Sequence, residues 1–384
     1  MPKSDFAERI PELDGVRGLA ILMVLFYHIV RLNPATVDLP VFKSILRVAE
    51  MGWAGVDVFF VLSGFLITSI LLRTKSGPGY FKTFYARRIL RIFPLYYTTI
   101  TAIFLFIPWL SPEQAQSTRA MWPWYYLYIQ NWGNAFNLIP TSFYIGITWS
   151  LAIEEQFYLV WPTIVYYLNS KKLAFLGGAL VLLSLGLRLL FGTVKTLRKL
   201  FDYNKVFYFS TITRFDSLIL GALLALAFQS EACKRWLKPL APYIFLAGVG
   251  LTAYLARQKP DSPLVDNYLM YTYGYFIIAL TTAALIVMLT TSVESNPLRR
   301  IFRNGILRFF GKYSYAIYLL HMLPLLTLIR IFDANGWNSG FPLWFAFILL
   351  TLTAAILLAL LSWNLLENPL LALKKHFEYQ PAKG

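Results

Sequence analysis

The chain has 384 residues, 58% of them hydrophobic, a formal net charge of +16 and a mean hydropathy of +0.56. Such a composition excludes a soluble domain, and long continuous apolar runs exclude a membrane β-barrel, whose strands alternate apolar and polar residues. The expected fold class is an all-α polytopic membrane protein.

The 35 Lys and Arg gather in short loops between apolar runs, which fits the positive-inside rule and argues against nucleic acid as a partner. One cysteine, Cys233, leaves no internal disulfide. The three histidines, His28, His321 and His376, share no metal-ligand spacing, so no metal site is expected.

Hydropathy predicts ten spans, at 13–32, 52–72, 92–110, 148–168, 173–191, 213–229, 240–257, 271–291, 313–331 and 343–364. With the N-terminus in the cytoplasm, inner segments hold about 22 Lys and Arg and outer segments about 13, and both termini fall inside. The first span has no small-residue cleavage site after it, so it reads as a retained helix rather than a signal peptide. The strongest cytoplasmic loops are 73–91 and 297–312.

Segment 121–136, MWPWYYLYIQNWGNAF, reads as interfacial or re-entrant, with Trp122, Trp124, Tyr125, Tyr126 and Trp132 as an aromatic belt. Loop 192–212, with Lys195, Arg198, Lys199 and Lys205, falls on the outer side against the rule. A single transmembrane domain over 1–384 is expected. Its core covers about 11–369, and a short cytoplasmic tail, 370–384, follows with no appended soluble domain.

Within the first span, Arg17 and His28 lie eleven residues apart. At about 100° and 1.5 Å per residue they share one helix face, roughly 17 Å apart. Ionisable groups at such depth are costly unless paired, which makes them functional candidates, with a histidine satisfied inside the bundle as the plain alternative.

On this topology His28, Asp57, Glu154, Arg214 and Asp216 come from four helices into one outer-half layer, as a buried polar cavity requires. At the inner end Arg17, with Asp14 one turn earlier, faces a loop bearing Arg87, Arg88 and Arg91. Arginine forks hold phosphates, although anchoring to anionic lipid also accounts for basic loops. An inner phosphate site some 17 Å from an outer histidine suits an elongated donor such as an acyl-CoA. A histidine beside a carboxylate can act as general base or acyl carrier, with Glu154 orienting the ring. Asp57 joins this catalytic set, and Arg214, Asp216 and Trp149 are candidates for holding the acceptor. Ser63 and Gly64 read as small residues for close helix packing, and His321 as a satisfied bundle histidine.

Several stretches taken together resemble the acyltransferase 3 family of integral membrane proteins. They are RIPELDGVRGLAILMVLFYH, GVDVFFVLSGFLIT, FYARRILRIFPLYY, TWSLAIEEQFYLVWP, RFDSLILGALLA, GKYSYAIYLLH and the late LENP. The resemblance runs from about Pro11 to Pro369. It implies a multi-pass protein of the bacterial inner membrane that moves an acyl group, commonly acetyl from acetyl-CoA, to a hydroxyl of a carbohydrate or glycolipid acceptor. It also implies His28 as the catalytic position, Arg17, Arg88 and Arg91 as donor-binding positions, and Glu154 as the more constrained acidic position. The alternative from another class is a transporter or flippase of lipid-linked sugars. Such a protein predicts inverted repeats or broken helices in matching halves, which the sequence does not show. Oligomeric state is left open.

Overall fold

A computed structural model describes residues 10–37, 46, 48–110, 112–140, 142–194, 202–258 and 269–379. Its long helices are α1 Pro11–Arg31, α2 Gly55–Thr74, α3 Tyr80–Leu110, α4 Trp149–Tyr167, α5 Ser170–Thr193, α6 Thr211–Ala227, α7 Glu231–Arg257, α8 Tyr275–Thr291, α9 Gly305–Leu320, α10 Met322–Ala334 and α11 Phe341–Ser362. The protein is all-α and polytopic. Eight of its helical segments are long and apolar enough to cross a membrane, and α9 with α10 makes a ninth if that bent pair counts as one span. The tenth predicted span is α4, a 19-residue helix less apolar than the others because it carries Glu154 and Glu155.

Three predicted boundaries move. Residues 80–91, expected in a loop, are the first turns of α3. The chain turns at Gly79, where φ is +72°, and Tyr80 opens a 31-residue helix. The predicted span 313–331 is two helices meeting at His321 with a 57° bend. Pro324 explains the break, since it has no N–H for the Leu320 carbonyl and its ring crowds that turn. Segment 121–136 does not cross as a helix. It folds as two short helices, Trp122–Tyr126 and Gln130–Ala135, joined through Tyr128 at φ +53°.

Segment 121–136 is pinned by hydrogen bonds between side chains and backbone carbonyls. Tyr96 donates to the Tyr125 carbonyl (2.9 Å) and Gln156 to the Tyr128 carbonyl (2.8 Å). Gln130 donates to the Thr148 carbonyl at 3.0 Å, and Asn131 to the Phe209 carbonyl at 3.1 Å. Tyr125 is buried, and of the expected aromatic belt Trp122 alone is exposed, Trp124, Tyr126 and Trp132 being partly covered. In the basic loop 192–212, Lys205 donates to Asn137, while Lys195, Arg198 and Lys199 lie outside the described residues.

Two glycine seams bring helix backbones into contact. A Cβ on Gly64 would overlap the Leu218 carbonyl, and one on Gly221 the Val61 carbonyl, so α2 and α6 cross at reciprocal glycines. Gly18 and Gly311 do the same for α1 and α9, against the Leu307 and Asp14 carbonyls. Gly64 thus packs as the sequence suggested.

Charge is neutralised where the bundle buries it. Arg214 Nη2 lies 3.0 Å from Asp57 Oδ2, and Ser217 donates to Asp57 Oδ1 at 3.0 Å. Arg188 bonds Asp216 and donates to the carbonyls of Thr213 (2.5 Å) and Thr272 (3.2 Å). All four charged side chains are at most 1% exposed. The Arg214 guanidinium also stacks 3.6 Å from the Tyr275 ring centre, with Trp149 at 5.6 Å.

One end of the bundle collects the basic loops. Buried Glu12 accepts from Arg299 and Arg303, each at 2.6 Å, and Arg87 donates to the Phe377 carbonyl at 2.8 Å. The start of α1 is thus joined to segment 299–303, and the start of α3 to residue 377.

Two stability predictions follow from this packing. Gly64→Leu forces α2 from α6 and is expected to cost about 1–3 kcal/mol or more, read as a lowered Tm in detergent. Asp57→Ala leaves Arg214 buried without its counter-ion and is expected to cost about 3–5 kcal/mol. The double variant Asp57→Asn/Arg214→Gln is expected to lose less than the two single losses combined, measured by thermal unfolding of the purified variants.

Candidate active site

Five helices enclose a narrow cavity of about 120 Å³: α1, α2, α3, α4 and α9. Arg17 enters it from α1, Ser63 from α2, Arg88 and Arg91 from α3, Glu154 and Tyr158 from α4, and Tyr318 from α9. The spacing accounts for the convergence. Arg88 and Arg91 are three residues apart and so share a face, as do Glu154 and Tyr158 at four.

The arginines mark one end. Arg17 Nη1 is 3.5 Å from Asp14 Oδ1, the partner expected one turn earlier. Arg91 Nη1 is 3.9 Å from Glu367 Oε2, in the π-helical turn Trp363–Glu367 that follows α11. Glu367 belongs to the LENP stretch, and nothing in its local pattern names Arg91 as its partner. Arg88 Nε is buried and has no hydrogen-bond partner among the described residues.

Glu154 stands deeper, within electrostatic reach of Arg17 and Arg88. Its two oxygens accept from Ser63 (3.2 Å) and Tyr158 (2.9 Å). Ser63 is thus more than a packing residue, and Tyr158 is a site residue that sequence reasoning missed. Tyr318 lines the cavity from α9, its hydroxyl donating to the Ile147 carbonyl at 2.7 Å and paired with Ser150 Oγ at 2.6 Å.

His28 is not among the residues that line the cavity. Its Nδ1 is 3.0 Å from the Val24 carbonyl and 3.3 Å from Nε2 of His321, whose ring centre is 6.2 Å from that of Tyr318. The neighbour of His28 is therefore His321, not Glu154, and the expectation that Glu154 orients the imidazole is corrected. His321 was legible only as a bundle histidine, because its contact with His28 crosses 293 residues of sequence.

The expectation of one outer-half polar layer is corrected too. Asp57, Arg214 and Asp216 do not line the cavity. They form the separate pairs described above, completed by Arg188, and Trp149 packs against Arg214 and Tyr208. Phe60 stands between the two groups, lining the cavity on one side and lying 5.8 Å from the Arg214 guanidinium on the other. The pairing is electrostatically forced, since four charges at such burial persist only as neutralised pairs.

The cavity thus gathers three arginines and a carboxylate held by two hydroxyls, and the histidine pair lies outside its lining, next to Tyr318. Comparison with known proteins identifies the framework. An acyltransferase domain matches residues 10–360. The chain is 30% identical over 94% of its length to the peptidoglycan O-acetyltransferase OatA of Listeria monocytogenes, of which it covers 56%. It is 31% identical over 96% of its length to the putative peptidoglycan O-acetyltransferase YrhL of Bacillus subtilis, again covering 56%. A putative O-acetyltransferase of Staphylococcus aureus strain COL is 28% identical over 94% of the chain, with 57% of its own length covered. The chain spans little more than half the length of these relatives. No solved structure matches it. With most of its length matched, the chain belongs to the acyltransferase 3 family of integral membrane proteins.

Proposed function

We propose that this protein moves an acyl group, acetyl in the first instance, from acyl-CoA to a hydroxyl of a cell-envelope carbohydrate. The observation that carries the reading is the cavity itself, lined by three arginines and Glu154, with His28 reached through Tyr318 and His321. Peptidoglycan is the acceptor that two relatives' names suggest for this chain.

Arg17, Arg88 and Arg91 hold the donor phosphates, for which the unpartnered Arg88 Nε supplies a buried donor. Arg17 and Arg91 meet Asp14 and Glu367 at 3.5 and 3.9 Å, contacts long enough to leave donor capacity for a phosphate. On this reading the pantetheine arm and its thioester enter the cavity while the nucleotide stays at the arginines. Glu154 offsets the arginine charge and, through Ser63 and Tyr158, keeps the channel polar. His28 takes the proton of the acceptor hydroxyl as it attacks the thioester carbonyl, or carries the acyl group itself. On this reading the arginine end faces the cytoplasm, where acyl-CoA is made, and the protein lies in the inner membrane. Asp57, Arg214, Asp216 and Trp149 hold the bundle together rather than touching the acceptor.

The test uses protein in nanodiscs with acetyl-CoA and a soluble peptidoglycan fragment. His28→Ala is expected to keep acetyl-CoA-induced thermal stabilisation while thiol release falls at least about 100-fold. Arg88→Ala is expected to weaken acetyl-CoA binding about tenfold to a hundredfold, measured by the concentration giving half-maximal stabilisation. Tight acetyl-CoA binding that survives loss of Arg17, Arg88 and Arg91 together would sink the donor assignment.

A further inference from the structure

We infer that His321 is a positioning residue for His28, setting which ring nitrogen of His28 carries the proton and sharing the charge when the other gains one. This rests on the reading of His28 as the base in the proposed transfer.

The argument begins at the bend. Pro324 breaks the helix so that His321 sits at the joint of α9 and α10, fully buried, with its ring folded back over the preceding turn. His321 Nδ1 is 2.8 Å from the Tyr318 carbonyl and 3.1 Å from the Ile317 carbonyl. Carbonyl oxygens only accept, so Nδ1 carries the hydrogen and, in the neutral ring, Nε2 carries a lone pair. That lone pair faces His28 Nδ1 across 3.3 Å. His28 Nδ1 also faces the Val24 carbonyl at 3.0 Å, a second group that can only accept. Both neighbours therefore require a hydrogen on His28 Nδ1, and they come from different helices. His28 Nε2 is left bare, which is the form a base or nucleophile needs.

The arrangement places a neutral imidazole where a hydrolytic triad places a carboxylate. In the transfer, the acceptor oxygen bonds to the thioester carbonyl carbon and its proton passes to His28 Nε2. The imidazolium so formed donates from Nδ1 to His321 Nε2, a charge-assisted bond stronger than the neutral one it replaces. When the carbon–sulfur bond breaks, the sulfur takes the bonding pair and then the proton from Nε2. The products are an ester and a thiol, and His28 is neutral again.

The test compares His321→Leu with His321→Gln in nanodiscs. Leucine removes the acceptor, whereas the glutamine side-chain oxygen can reach the position of Nε2 and restore it. Expected are a fall of ten- to a hundredfold in kcat for His321→Leu with an unchanged KM for acetyl-CoA, and substantial recovery in His321→Gln. The second readout needs no activity. The chain has three histidines, so 15N-histidine NMR in a His376→Gln background reports His28 and His321 alone. Wild type is expected to show His28 protonated at Nδ1 and bare at Nε2, and His321→Leu a mixture of tautomers.

A wild-type His28 protonated at Nε2 would overturn the inference. So would a folded His321→Leu with wild-type kcat, or equal impairment of the leucine and glutamine variants. If His28→Ala releases thiol like wild type, the transfer reading fails instead, while the tautomer result stands or falls independently.

Discussion

A charge inside an apolar helical bundle must meet its opposite, and the architecture follows from how this chain meets that demand. Arg214 with Asp57 and Arg188 with Asp216 tie α2, α5 and α6 together, and the Arg188 bond to the Thr272 carbonyl reaches the π-helical turn before α8. Net attraction in such pairs is small once desolvation is counted, yet removing one member strands the other in a medium that cannot solvate it. They specify which helices lie beside which. The glycine seams at Gly64/Gly221 and Gly18/Gly311 then let those helices approach until backbones touch.

Against that neutralised half, the cavity side is electrostatically unfinished. Three arginines line it against one carboxylate, Glu154, while Asp14 and Glu367 stand outside at 3.5 and 3.9 Å. A local surplus of cations attracts anions, and the Arg88 Nε–H, without a hydrogen-bond partner among the described residues, is a directional donor there. Phe60 keeps the two regimes apart, so that the cavity charges are not drawn into the structural pairs.

Irregular backbone appears where polar groups are at hand to absorb it. Segment 121–136 is held by Tyr96, Gln130, Asn131 and Gln156, and the bend before Pro324 places His321 where its ring satisfies local carbonyls and meets His28. The π-helical turn at Trp363–Glu367 similarly presents Glu367 to Arg91. In each case a departure from the regular helix aims one side chain across to another element.

Helix positions, the shared face of Arg17 and His28, the paired arginines of α3 and the family were all legible in the linear chain. Hydropathy and the 3.6-residue repeat are properties of neighbouring residues, and a helix in lipid satisfies its own backbone. What stayed hidden was every partnership between helices. Nothing local assigns Asp57 to Arg214 and Asp216 to Arg188, or separates both from Glu154. Even Pro324, which marks the bend in plain view, does not reveal that it turns His321 toward His28. Those contacts depend on crossing angles and axial offsets between helices up to 293 residues apart, quantities that only close packing of the whole bundle decides.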